Sequence, residues 1–80
     1  MPSQFIVGKG RESVAQAVHA LGWRKAGRAS WVKPNGTEVH YLHSAEQIAA
    51  VTSGDIVHIV GRASKETSAL KFRGAIIVRL

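Results

Sequence analysis

The hydrophobic period changes once between residues 4 and 22, and this change sets the fold class. Gln4–Val7 is a short, apolar and β-prone run that ends in the glycine-rich turn "GKGR" at 8–11. From Arg11 the apolar residues recur at helical spacing, and they are Val14, Ala17, Val18 and Leu21. Gly22 is typical of a helix stop. The segment therefore predicts a strand, a glycine turn and a helix.

A β-hairpin is predicted in the middle of the chain. The basic segment "WRKAGR" at 23–28 reads as a loop, and "ASWV" at 29–32 reads as a strand. "KPNGT" at 33–37 carries the proline, asparagine and glycine that tight turns favour. The returning strand "TEVHYLH" at 37–43 places Thr37, Val39 and Tyr41 on one face and Glu38, His40 and Leu42 on the other.

The C-terminal half predicts another helix and two strands. Ser44 and Gln47 form a capping-box pattern for a short helix with a buried stripe, which Gly54 ends. "DIVHIV" at 55–60 is almost continuously apolar, as in a strand that is covered on both faces. Residues 61–73 predict either a loop or one weak helical turn after Ser64. "GAIIVRL" at 74–80 predicts the last strand.

These elements predict one α/β domain over residues 1–80. Its order is β-α-β-β-α-β-β, in a two-layer or three-layer sandwich with two helices on a mixed sheet of four to five strands. The connection between the last two strands is long enough for a crossover or a wide hairpin, and both remain open.

Charge is the most informative bulk property. The chain has 11 Lys and Arg against 5 Asp and Glu, a net charge of +6 and a pI near 10.6. Such an excess favours polyanions such as DNA or RNA, although it also fits a merely solvated surface. Without cysteine, a long apolar run or a signal pattern, the chain is expected to be soluble and cytoplasmic, without a membrane partner.

Two basic patches are candidate binding sites. If the strands ending at Val7 and Val60 are parallel, their exits share one edge, which gathers Lys9, Arg11, Arg62 and Lys65. The second patch is Arg24, Lys25 and Arg28, next to Trp23 and Trp31. Cations interleaved with aromatic residues suit single-stranded nucleic acids, with Trp23 as the stacking candidate and Trp31 favoured as a core residue.

The glycine turn does not match a nucleotide-binding motif. A helix N-terminus with flexible glycines and cations suits an anion, but no Lys-Ser or Lys-Thr follows a glycine as in a P-loop. The dinucleotide-binding pattern requires a third small residue and an acidic residue about twenty positions later. This chain has Ser13 at the third position, and Trp31, Val32 and Lys33 stand where the acidic residue would be. No cofactor is expected, and a plain turn is the alternative to an anion contact.

Catalysis and metal binding are not expected. The four histidines are His19, His40, His43 and His58, and no spacing makes them converge as a metal site requires. His58 lies in the apolar strand, where a hydrogen-bonded core histidine is the commoner outcome. Asp55 and a histidine lack a nucleophile elbow to complete a triad.

The stretch "NGTEVHYLHSAEQIAAVTSGDIVHIVG" resembles the middle of the ATPase core of phage terminases and related helicases. There, too, a strand, a short helix and a strand opening on Asp follow one another. That family ends the last strand in an acidic pair, whereas this chain has Gly61 and Arg62. The resemblance therefore implies the scaffold without its catalytic residues.

The sequence thus predicts a non-enzymatic basic protein that contacts nucleic-acid phosphates without strong sequence specificity. The alternative is a protein-interaction module, such as a phage-type accessory protein, that docks on an enzyme or on a second copy through the edge strand "GAIIVRL".

Overall fold

The computed structural model describes residues 3–42, 45–61 and 64–80, without the side chains of residues 45 and 64–67. The strands and helices alternate as an α/β fold with a mixed sheet. In chain order they are β1 Gln4–Val7, α1 Arg11–Ala20, β2 Arg24–Gly27, β3 Ser30–Val32, β4 Glu38–Tyr41, α2 Ala45–Ala49, β5 Ile56–Ile59, α3 Ser64–Phe72 and β6 Ile76–Arg79.

The six strands form one sheet in the order β2-β3-β4-β1-β5-β6. β1 lies between β4 and β5 and is parallel to both, and β6 is parallel to β5. β2, β3 and β4 form an antiparallel meander at the other side. The connection from β5 to β6 is therefore a crossover, the first of the two possibilities that the sequence allowed.

Each face of the sheet has its own core, because side chains alternate along a strand. Ile6 packs with Val14 and Val18 of α1, whereas its neighbour Val7 packs with Leu70 of α3. Ile48 of α2 packs on the same side as Leu70. The sheet thus has α1 on one face, called here the α1 face, and α2 with α3 on the opposite face, in three layers.

The hairpin follows its predicted turn chemistry. Lys33 donates its backbone N–H to the Thr37 carbonyl at 2.9 Å, and Thr37 donates its own to Asn35 Oδ1 at 3.0 Å. Gly36 has φ +91°, a conformation that side chains disfavour. The predicted faces are also confirmed, since Val39 lies in the core beneath α1 and Leu42 in the core on the opposite face.

Three segments differ from the expectation. The basic loop at 23–28 is mostly a strand, β2, whose four residues are all exposed. As an edge strand with both faces in solvent, it has no apolar alternation. The segment after Gly61 contains a nine-residue helix, α3, in place of a loop or one turn. Leu70 is its one described buried residue, so the apolar pattern is weak. Helix α2 is shorter than expected, and its predicted N-cap Ser44 lies outside the described residues.

The two glycines of the opening turn have different roles. A Cβ on Gly8 would lie 2.7 Å from Val14 Cγ2 and 3.2 Å from Val60 Cβ. Gly8 is thus where α1 and the exit of β5 approach β1 most closely. Gly10 is the N-cap of α1 with extended φ of −172°, and a Cβ there meets nothing within 4 Å. The turn needs its first glycine for packing, while its second glycine faces open space.

We expect Gly8→Ser to lower the free energy of unfolding by about 1–3 kcal/mol, because the added atoms overpack the contact with Val14. The identical change Gly10→Ser adds a side chain in open space at a position that favours serine. It is expected to leave stability unchanged or raise it slightly. Urea unfolding of both variants makes the comparison, and equal losses would contradict the packing role of Gly8.

Candidate functional site

Arg11 connects two basic segments that are far apart in sequence. Its Nη1 donates to the backbone carbonyl of Arg28 at 3.4 Å, which holds the first turn of α1 against the turn between β2 and β3. Lys9 lies just before Gly10, the N-cap of α1, and is exposed, as are Arg11 and Arg28. Members of the two predicted patches therefore adjoin one another.

Lys25 extends this surface along the sheet edge, whereas Arg24 does not. Lys25 pairs with Trp31, whose side chain lies on the α1 face, and Lys25 lines a groove beside α1. Arg24 pairs with Val32 and so projects to the opposite face. We call Lys9, Arg11, Lys25 and Arg28 the basic surface.

Few described carboxylates oppose the basic surface. Between described side chains, the contact within 4 Å that joins a basic and an acidic group is that of His40 Nε2 with Glu38 Oε1, at 3.0 Å on an exposed part of β4, and it is an ion pair when His40 is protonated. Glu12 in the first turn of α1 is the carboxylate nearest along the chain to the cations of that turn. None of the four cations of the basic surface forms an ion pair with a described side chain, although Arg11 donates to a carbonyl and Lys25 shares its groove with Glu12.

The predicted patch at the strand exits is described only in part. β1 and β5 are parallel neighbours, and Val60 donates its N–H to the Val7 carbonyl at 2.9 Å, so their exits do share an edge. Arg62 lies outside the described residues, and Lys65 is described only as a backbone position in α3. Their place beside Lys9 and Arg11 stays a prediction.

Trp23 does not offer a stacking platform, which corrects its assignment as the stacking candidate. Only 8% of Trp23 is exposed, and it packs in the core beneath α1 together with Trp31. Its ring contacts the His58 ring edge-on, with 5.3 Å between the ring centroids. Lys33 Nζ lies over the Trp23 ring, 5.8 Å from its centroid. The residue follows α1 directly and closes the core there, so its ring cannot stack with a base and only a small part of its surface stays open.

A polar cluster of Gln4, Lys33 and His58 lies next to Trp23. Sequence reasoning had recognised only His58, as a core histidine. Gln4 Oε1 accepts from Lys33 Nζ at 2.9 Å and lies 3.1 Å from His58 Nε2. With Nε2 as the donor, the lone pair of His58 Nδ1 is buried and has no described partner. Burial, and after it the charge of Lys33, lowers the pKa of His58 below its ordinary value.

Asp55 has a structural role at the start of β1. Its Oδ2 accepts from the backbone N–H and the hydroxyl of Thr52, at 3.0 and 3.1 Å, and its Oδ1 accepts from the Ser3 N–H at 3.2 Å. The bond from the Thr52 N–H is the main cause that lowers the pKa of Asp55. Both carboxylate oxygens are thus used to tie the start of β1 to the loop before β5.

The remaining histidines form no common site within the described part of the chain. His19 is exposed on α1, His40 pairs with Glu38, and His43 lies outside the described residues. Among the described residues, no three His, Cys, Asp or Glu side chains come together as a metal site needs. The described helices also include none that is long and apolar enough to cross a membrane.

Comparison with known proteins finds no protein family, no curated protein and no solved structure that matches this chain. The resemblance to the ATPase core of terminases and helicases therefore stays a prediction. The site rests on its own geometry.

His58 predicts an acid-dependent loss of stability. Its pKa is lowered in the fold, so below the ordinary value of 6.5 the unfolded chain binds the proton first. The contribution of His58 to the free energy of unfolding is expected to be fully present above pH 6.5 and to be lost as the pH falls below that value. Asp55 acts in a separate range, below its ordinary value of 3.8.

Urea unfolding of the wild type and His58→Gln between pH 7.5 and roughly 4.5 checks this. The variant is expected to lose the part of the pH slope that His58 contributes, whatever its stability at pH 7.5. An unchanged slope would show that His58 is not the group responsible.

Proposed function

We propose that this protein binds nucleic acid without catalysis, through contacts between phosphates and the basic surface. The observation that carries the proposal is the bond from Arg11 to the Arg28 carbonyl, which brings cations from α1 and from the β2–β3 turn onto one surface. A net charge of +6 adds long-range attraction for a polyanion.

The contacts that this surface offers are of the kind made to phosphate. The cations project from a helix start, a strand and a turn, and arginine guanidinium groups match the geometry of phosphate oxygens. The N-terminal N–H groups of α1, capped by glycine without a side-chain bond, add positive potential beside Lys9 and Arg11. Such contacts position a backbone and do not read sequence.

Charge reversal tests this function. Arg11→Glu with Arg28→Glu is expected to lower affinity for labelled DNA and RNA in fluorescence anisotropy, and to reduce the slope of log K against log salt by about 2. Lys71→Glu with Arg79→Glu is the matched control. It makes the same charge change on the other side of the sheet, on α3 and at the β6 position that pairs with Ile59 in the core opposite to the α1 face.

If both double variants lose affinity equally, the basic surface is not the contact and only net charge matters. If the wild type binds no oligonucleotide at low salt, the proposed function is wrong.

A second candidate function rests on β6. It is an edge strand, as the alternative required, and Ile76, Val78 and Leu80 are all exposed on the α1 face. Helix α1 packs over β1, β3 and β4, so it leaves this stripe uncovered. Edge strands that avoid pairing usually carry Lys, Pro or a bulge, and the run Ile76–Arg79 ends in one Arg only.

The occupant that we propose for this edge is a second copy of the chain. In antiparallel pairing of two β6 strands, the two Arg79 side chains lie at opposite ends of the pair, whereas parallel pairing sets like charges side by side. Ile77 is not available for such a contact, because it packs against the core that α2 and α3 cover.

Sedimentation velocity over a range of concentrations tests self-association at high salt. We expect the wild type to dimerise and Val78→Lys to remain monomeric, because a charge would lie in the paired stripe. Phe72→Lys is the control, since it removes a side chain that is 93% exposed at the end of α3 and adds the same charge. A wild type that stays monomeric throughout overturns this candidate, and so does a Val78→Lys variant that still dimerises.

A further inference from the structure

A groove runs along α1, between this helix and strands β2 and β3. Its volume is about 410 Å³, which lies in the range of small-ligand sites. The lining residues come from successive turns of α1, from the residue before β2 and from β2 and β3, and they are Glu12, Ala15, Gln16, Val18, His19, Trp23, Lys25 and Trp31.

The groove joins the basic surface. Lys25 belongs to both, and Arg11, which precedes the lining residue Glu12, holds the β2–β3 turn at the N-terminal end of α1. Glu12 offsets the charge of Lys25 within the groove itself, so the attraction for a polyanion comes from the rest of the basic surface at the end of the groove.

The lining has an apolar floor and a polar rim. Ala15 and the small exposed parts of the two tryptophans supply the floor, with Val18 fully buried beneath them, while Gln16 and His19 are exposed at the rim. Such a combination suits a flat, partly apolar group with hydrogen-bonding edges. The bases of a duplex hide their pairing edges and faces in the stack, whereas an unpaired base offers both.

We propose that this groove takes one unpaired base of a single-stranded nucleic acid whose phosphates lie on the basic surface. The inference rests on the proposed function and narrows it to single strands. The base contacts the floor from one side and is not sandwiched, because Trp23 and Trp31 are only 8% and 3% exposed.

The protein carries its own reporter for this event. Its two tryptophans both line the groove, so a base that enters changes the intrinsic fluorescence. The titration uses oligothymidine and oligouridine, an abasic oligonucleotide of the same length, and a duplex. We expect both single strands to quench the tryptophans and to bind about tenfold more tightly than the abasic strand. The abasic strand and the duplex are expected to bind through charge without quenching.

A filled groove provides the matched test. Ala15→Leu places a larger side chain on the groove floor, and Ala20→Leu makes the same change on the exposed side of α1, outside the groove. Ala15→Leu is expected to abolish quenching and the preference for single strands but to keep duplex binding. Ala20→Leu is expected to behave as the wild type. Should Ala15→Leu fail to fold, Gln16→Phe blocks the groove from its exposed rim.

The outcomes separate the two proposals. Equal binding of single, abasic and duplex strands without quenching overturns the base site and leaves the basic surface standing. Loss of all binding at low salt overturns both. Quenching that persists in the filled variant places the base elsewhere and overturns the assignment to this groove.

Discussion

The parallel pairing of β1 with β5 determines where α1 and α3 begin, and with α1 the position of the basic surface. Their exits lie side by side, yet the chain leaves β1 for α1 on one face and leaves β5 for α3 on the other. Where the two paths diverge, Gly8 packs closely against Val14 of α1 and Val60 at the exit of β5. Since it fixes the start of α1, it also fixes Arg11 against the β2–β3 turn.

Sequence reasoning identified the elements whose residues are buried on at least one face. β1, α1, the hairpin and β5 each carry the period of their element, because one or both faces pack against a core. β2 and α3 carry little of it. Every residue of β2 is exposed, so "RKAG" is as polar as a loop, and pairing with β3 alone makes it a strand. The hydrophobic period of the sequence does not show that β2 pairs with β3 across the turn.

The candidate site was predictable as charge but not as geometry. The cations at positions 9, 11, 25 and 28 are evident in the sequence, but the contact that joins members of the two predicted patches is not. Arg11 contacts the second predicted patch through the backbone carbonyl of Arg28. Every residue has such a carbonyl, so no sequence motif indicates this contact. Trp23 was wrongly predicted to be a stacking residue, because a residue just after a helix can either close the core or face solvent. Its contact with His58 and Lys33 settles this.

The two edges of the sheet differ in a way that relates the two candidate functions. An open edge strand templates pairing unless charge or shape prevents it. β2 carries Arg24 and Lys25 on its two faces, so a second copy meets like charge there while a polyanion meets opposite charge. β6 presents Ile76 and Val78 instead, and repels neither a copy nor another strand. Because these edges lie at opposite ends of six strands, self-association at β6 leaves the basic surface and its groove open, and the two functions are compatible in one molecule.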